Sequence, residues 1–279
     1  MEYYTLSNGV PIPAVGFGTW QMPDNDTGYD AIRYALDCGF RHIDTAQGYG
    51  NEGTVGRAVS DSGIPRSEIF LTSKLDNPNH GYRNTLSSFA RTLELLRTDY
   101  VDLFLIHWPN PLQFRSTWQQ TNAETWQAFE SLYAAGKIRA IGISNFRRHH
   151  LDALLRTAEI MPAVNQIRLC PGDSQDALVA CCRSHGILPE AYSPLGTGQV
   201  LTVPAITEIA AKYGKSPAQI CIRWSLQNGF LPLPKSVTPS RIRENLDVFD
   251  FTLSASDMQI ITGLTGCAGA AKDPDTVPW

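Results

Sequence analysis

The stretch Val101-Asp102-Leu103-Phe104-Leu105-Ile106-His107 decides the fold, because it is a strand-sized, nearly unbroken apolar run that ends on a polar residue. Strand-sized runs alternating with longer amphipathic stretches are what a parallel sheet requires of its sequence. Working outward, the same feature recurs at Ala14 to Gly18, Phe40 to Asp44 and Ile69 to Lys74 on one side. On the other it recurs at Ala140 to Ser144, Val164 to Gln166, Leu188 to Tyr192 and Leu231 to Pro234. That makes about eight runs, the number a closed (β/α)8 barrel needs, so an α/β TIM barrel is expected over 1–279 as a single domain. Ahead of the first run, Ser7-Asn8-Gly9-Val10 carries the Asn-Gly signal of a tight β-hairpin, placed where it can plug the barrel's N-terminal end.

Helical patterns lie between most of the runs. Tyr29, Ile32, Arg33 and Leu36 follow a polar turn with Gly28 and stop at Gly39. Similar spacing predicts helices over Thr85 to Leu96, Glu124 to Ala135, Arg148 to Leu155 and Gln175 to His185. An extra helix runs from Pro204 to Tyr213, Ser216-Pro217 starts the next with a cap followed by proline, and Ser254 to Leu264 reads as the last.

The composition, 279 residues with 43% hydrophobic and 18% charged, suits one sizeable core. A net charge of -4 without long charged runs gives no electrostatic reason for nucleic-acid or membrane binding. No apolar stretch approaches a membrane span, and Met1-Glu2-Tyr3 does not open a signal segment, so a cytoplasmic location is expected. Cys38, Cys170, Cys181, Cys182, Cys221 and Cys267 show no metal-type spacing and read as buried free thiols, with no metal expected. Asn25-Asp26-Thr27 matches a glycosylation acceptor but reads as a polar loop.

Asp44, Tyr49, Lys74 and His107 fall at or just beyond the ends of successive runs, where a barrel gathers residues at one mouth. A phenol ionises near 10 and exchanges protons poorly at neutral pH unless a cation stabilises its ionised form. Lys74 can be that cation, Asp44 can hold its ammonium, and His107 can orient a carbonyl oxygen. The set suits protonation of a carbonyl oxygen while a cofactor delivers hydride to the carbon. Taken singly, Asp44 reads equally as a helix cap, Lys74 and His107 as satisfied polar groups, and Tyr49 as a packed aromatic. Their joint placement favours an active site.

Gly18-Thr19-Trp20, Asp44-Thr45-Ala46-Gln47-Gly48-Tyr49-Gly50-Asn51-Glu52, Ile106-His107-Trp108-Pro109, Gly142-Ile143-Ser144-Asn145-Phe146 and Pro234-Lys235-Ser236-Val237-Thr238-Pro239 resemble the aldo-keto reductases nearly end to end. Within that superfamily the short chain and the Asp-Thr-Ala-Gln segment are most similar to the bacterial 2,5-diketo-gluconate reductase group. The resemblance implies an NADPH-dependent oxidoreductase reducing small or polar aldehydes and ketones, keto-sugar acids among the options, with Asp44, Tyr49, Lys74 and His107 as the catalytic four and Tyr49 as general acid. It implies nicotinamide contacts from Ser144, Asn145 and Gln166, stacking by Tyr192, and further cofactor contacts from Thr19, Ser193, Leu195 and Val237. Lys235, Ser236 and Arg241 would serve the adenosine 2′-phosphate, and Glu244 and Asn245 the adenine.

Lys235 and Arg241 independently suit a phosphate, since a strand end and the start of a following helix offer two cations and free backbone amides. Neither Gly16-Phe17-Gly18 nor Gly196-Thr197-Gly198 completes a Gly-x-Gly-x-x-Gly motif, which argues against a Rossmann dehydrogenase.

Trp20 and Trp108, with Trp118 as a further candidate, can wall a substrate pocket whose movable rim is the loop from Asn110 to Gln120 and the tail from Gly266 to Trp279, small and flexible in composition over Gly266 to Ala271. The chain departs from the family at Arg168 and Cys170, where glutamate and histidine are usual. Arg168 either attracts a substrate carboxylate or pairs with an acid of the protein. Two other readings stay open: a Schiff-base aldolase with Lys74 as nucleophile, and a nicotinamide-nucleotide-sensing module with negligible turnover. A monomer with a small-molecule carbonyl as its partner is expected.

Overall fold

A computed structural model describes residues 2–279. The chain opens on an antiparallel hairpin of β1 (Tyr3–Thr5) and β2 (Pro11–Pro13). Eight strands follow, each pairing in parallel with the next: β3 (Phe17–Gly18), β4 (His42–Asp44), β5 (Phe70–Leu75), β6 (Val101–Ile106), β7 (Ile138–Ser144), β8 (Val164–Arg168), β9 (Leu188–Tyr192) and β10 (Leu231–Leu233). Around them lie α1 (Asp26–Asp37), α2 (Glu52–Ser60), α3 (Tyr82–Leu96), α4 (Trp118–Ala134), α5 (Arg148–Leu154), α6 (Asp176–Ser184), α7 (Pro204–Tyr213), α8 (Pro217–Gln227), α9 (Pro239–Leu246) and α10 (Ala255–Thr262).

The barrel closes at a glycine seam. Gly16 and Gly18 donate their backbone N–H groups to Pro232 and Pro234, each at 3.0 Å, joining the first barrel strand to the last. A Cβ at Gly16 would stand 2.5 Å from Leu233 Cδ2 and 2.6 Å from His42 Nδ1, crowding side chains packed beside the seam, and one at Gly18 would stand 3.1 Å from the Leu233 carbonyl oxygen of the closing strand. Gly-Phe-Gly is therefore a packing feature.

Strand alternation sorts the core into two shells. Ile43, Leu71, Phe104, Ile106, Ile141 and Ile143 pack against helix residues such as Ile32, Leu36, Phe89 and Phe129. Phe70, Leu103, Leu105, Val164, Leu231 and Leu233 form a separate cluster inside, which Leu6 and Ile12 of the hairpin join. The hairpin thus plugs the N-terminal end, and the polar residues are left for the opposite mouth.

Three local expectations change. Helix α2 was not anticipated, because Gly53 and Gly56 weaken its propensity. Gly56 is needed there, since a Cβ would stand 2.2 Å from the Leu95 carbonyl oxygen of α3. Helix α4 begins at Trp118 rather than Glu124, its first turns being polar. Asn25 caps α1, its Oδ1 accepting the N–H groups of Thr27 and Gly28 at 3.0 and 3.4 Å, so the Asn-Asp-Thr triplet starts a helix instead of lying in a loop. The six cysteines are unpaired, but only Cys170, Cys182 and Cys221 are fully buried, the others being half-buried. Among the described residues no helix is long and apolar enough to cross a membrane.

Candidate active site

Asp44 ends β4, Lys74 lies one residue before the end of β5, and His107 immediately follows β6, so three neighbouring strands deliver them to one mouth. Tyr49 comes from a single 3-10 turn, Gln47–Tyr49, which Gly50 ends in the left-handed region at φ 69°. Gln47 anchors that turn. Its Oε1 accepts from Asp76 N and Asn79 Nδ2, both at 2.9 Å, and its Nε2 donates to Thr92 Oγ1 at 3.0 Å.

Lys74 is completely buried and has four partners. Its ammonium donates to both Asp44 oxygens at 2.7 and 2.9 Å, to the Thr45 carbonyl at 2.8 Å and to the Tyr49 hydroxyl at 3.2 Å. The His107 ring meets the Tyr49 ring edge-on, centroids 5.6 Å apart. The four groups are therefore one cluster.

Burial draws the Lys74 amine down, yet Asp44 and Tyr49 outweigh it and hold the group above its ordinary range, protonated. A fully buried ammonium held on two carboxylate oxygens is no amine nucleophile, and this removes the aldolase reading. Burial also raises the Tyr49 phenol, and Lys74 offsets only part of that rise. The expected priming is present but does not win: at rest the phenol is a held proton, and the nearby ammonium favours the phenolate left after donation. His107 is pushed well below its usual value, by burial first and then by the Lys74 charge, so its imidazole is neutral.

A second group of expected residues meets beside this cluster. Ser144 Oγ donates to the Gln166 carbonyl at 2.8 Å, and Asn145 Nδ2 donates to the His107 carbonyl at 3.0 Å. The Tyr192 hydroxyl donates to Asn145 Oδ1 at 2.9 Å. Asn145 and Ser193, the residues following β7 and β9, adopt left-handed φ of 61° and 49°, an arrangement of the kind found where a mouth is shaped for a ligand. Thr19 is buried with its hydroxyl on the Asp44 carbonyl at 2.9 Å, and Leu195 packs into the outer core.

The remaining expected contacts lie around α9. Lys235, Val237, Arg241 and Glu244 are exposed, while Ser236 and Asn245 are buried. No side chain caps the N-terminus of α9. An uncapped helix start between two exposed cations fits an anionic group such as phosphate.

On the substrate side, Trp108 stands beside His107 and meets Trp279 edge-on at 5.6 Å, while Trp20 is 50% exposed. Trp118 is different. It packs on His150 at 4.9 Å, as the start of a helix rather than as part of a loop, so it belongs to packing around α5.

The tail is tied down, contrary to the expectation of a movable rim. Asp275 accepts from Asn110 Nδ2 at 2.9 Å, and its oxygens meet His150 Nε2 and His149 Nε2 at 2.9 and 3.1 Å. These three groups are not arranged for a metal: His150 Nδ1 accepts the Arg147 N–H at 3.2 Å, which puts the ring proton on Nε2, where it donates to Asp275. Arg168 pairs with Asp173 and donates to the carbonyls of Ala268 and Gly269. Of its two candidate roles, the structure shows the pairing with an acid.

A residue that the sequence does not single out is Glu190, fully buried on β9, whose Oε2 accepts from Gln166 Nε2 at 2.7 Å. The available signal was an acid inside an apolar strand, two residues from Tyr192 and so on the same face. A cavity of about 330 Å³ lined by Pro11, Arg41, Asp102 and Arg139 lies at the hairpin end, remote from these groups.

Known proteins resemble this chain over nearly its whole length. The model of the Aldo/keto reductase family matches residues 14–265. A glyoxal reductase of Bacillus subtilis is 44% identical, the match covering 97% of this chain and 95% of that protein. The crystal structure of an aldo/keto reductase from Brucella melitensis is 46% identical, with a TM-score of 0.88 over 94% of this chain and 98% of that one. A mutant of Gox0644 in complex with NADPH is 39% identical, with a TM-score of 0.92 over 100% of this chain and 99% of the other.

Proposed function

The chain belongs to the aldo/keto reductase family, and from that premise we propose that it reduces aldehydes or ketones with NADPH, Tyr49 donating the proton. One observation carries the reading: a buried ammonium that touches both the Asp44 carboxylate and the Tyr49 hydroxyl, with the His107 ring against the phenol.

Reduced nicotinamide, when bound, supplies the hydride. The protein's part is the proton and the placement. Neutral His107 donates a hydrogen bond that orients the carbonyl oxygen without protonating it. Tyr49 then passes its hydroxyl proton to that oxygen, and Lys74, kept charged by Asp44, stabilises the phenolate. Ser144, Asn145 and Gln166 suit the nicotinamide carboxamide, and Tyr192 suits its ring. Lys235, Ser236 and Arg241 at the start of α9 suit a 2′-phosphate, which favours NADPH over NADH, and the NADPH bound to a structural neighbour supports that choice.

With Arg168 committed to Asp173 and Trp20, Trp108 and Trp279 around the mouth, small neutral carbonyls fit better than anionic keto-sugar acids. The test follows NADPH absorbance with 2,5-diketo-gluconate, methylglyoxal, glyceraldehyde and aromatic aldehydes. Tyr49→Phe is expected to lose about 100-fold or more in turnover, the scale of a lost general acid, while still binding NADPH. Wild-type rates in that variant would remove the assignment.

A further inference from the structure

Gln166 spans the barrel. Its strand, β8, lies opposite β4 in the strand order, yet its Nε2 reaches Asp44 Oδ2 at 2.8 Å as well as Glu190 Oε2 at 2.7 Å. Burial raises the Asp44 acid, but both of its oxygens accept from the Lys74 ammonium, so the atom facing it must be the amide nitrogen and the orientation of this amide is decided by its partners. Both of its N–H groups are then used, one by each carboxyl group. Only Oε1 remains for a ligand.

We propose that Glu190 is a positioning residue: by holding the second N–H of Gln166, it makes that side chain present an acceptor alone to the NH2 of a bound nicotinamide carboxamide. This rests on the nicotinamide reading above. Without Glu190 the second N–H would be a free donor beside the ligand, and the amide would be pinned at one point instead of two.

The surroundings of Glu190 show how it does this inside a core. Lys74 is spent on Asp44, and its charge does not reach Glu190 through any hydrogen bond. From β4, the His42 ring lies with Nε2 3.7 Å from Glu190 Oε1, beyond hydrogen-bond range, and is itself held neutral by burial and the Lys74 charge. From β5, Thr72 engages His42 Nε2 at 2.9 Å rather than the carboxyl. Oε1 of Glu190 therefore has no donor among the described residues. An acid in that position keeps its proton on the unpartnered oxygen and accepts with the other. In agreement, burial first and the Asp44 charge second push Glu190 up to about 8.

The test compares binding of NADPH with its reduced 3-acetylpyridine analogue, which has no amide NH2, by fluorescence titration. Glu190→Leu is expected to weaken NADPH by roughly tenfold, the scale of one hydrogen bond, and the analogue by less than about twofold. Should that chain not fold, the unbranched Glu190→Met carries the same expectation. Glu190→Gln keeps an acceptor for Gln166 and the neutral charge, and should hold the wild-type ratio of the two affinities. Gln166→Ala should match Glu190→Leu, and the double variant should be no worse than either. The proposal is overturned if the apolar variants weaken both cofactors equally or neither. A wild-type protein that binds no NADPH sinks the parent reading along with this one, a result distinct from equal losses in the variants.

Discussion

Asp44→Ala removes two of the four partners of a lysine that has no exposure at all, leaving the ammonium with Thr45 O and the Tyr49 hydroxyl. Breaking a buried pair by deleting one member costs about 3–5 kcal/mol, because the survivor is an uncompensated charge. At roughly 2–3 °C per kcal/mol for a chain of this size, Tm should fall by roughly 6–15 °C. Urea denaturation at pH 7 and pH 10 separates charge from cavity. With Asp44 gone, burial, the largest influence on Lys74, pulls its folded pKa below the unfolded value near 10.4. The native state then binds fewer protons than the unfolded chain, so stability rises with pH toward that value and the deficit should shrink at pH 10. Asp44→Ala combined with Lys74→Met should recover at least about half of the loss, since no buried charge remains. An equal deficit at both pH values, with a double variant no more stable than the single, would show that the pair's charge is not what the site depends on.

Gly16→Ala should destabilise by about 1–3 kcal/mol in urea, because its Cβ would meet Leu233 and His42 at 2.5 and 2.6 Å, and an unchanged midpoint would refute the seam. Arg168→Ala leaves the Asp173 side chain with the Ala271 N–H but no cation and releases the tail carbonyls of Ala268 and Gly269, with a loss of about 1–3 kcal/mol. KM should rise equally for anionic and neutral carbonyls; a selective rise for anions would restore the carboxylate role. His42 and His80 are lowered to about 3, His150 to about 4 and His107 well below its usual value, burial being the first cause in each, so the unfolded chain takes up four protons near pH 6.5 that the native state refuses. Glu190, raised to about 8, retains one native proton in the same range and opposes them. Stability should therefore fall as pH drops from 7 to 5, with a slope approaching roughly three protons at pH 5, and His80→Leu should remove about one of them. A flat profile of the urea midpoint would count against neutral buried histidines.

How much of this was readable beforehand follows from the range of each interaction. Lys74 and His107 close apolar runs, and a parallel strand delivers its last inward residue to the mouth whatever the helices do. Helix α2 is hidden because Gly56 answers to the Leu95 carbonyl, a contact with a different helix. Glu190 was passed over because an acid inside a strand has meaning only through what it faces. The tail looked mobile from its small residues, but Arg168, Arg115 and the histidines of α5 hold it through groups that lie far away in the chain.

The order of apolar runs by itself determined the barrel and brought Asp44, Lys74 and His107 to one end, because strand periodicity is local and parallel strands share a direction, whereas Tyr49 is set by the turn that Gln47 anchors. Only the tertiary structure decided that Arg168 is neutralised by Asp173 and that Gln166, 122 residues from Asp44, reaches it across the lumen beside Glu190. Contacts across a closed barrel depend on its width and on side-chain length, and neither is written in the spacing of residues along one strand.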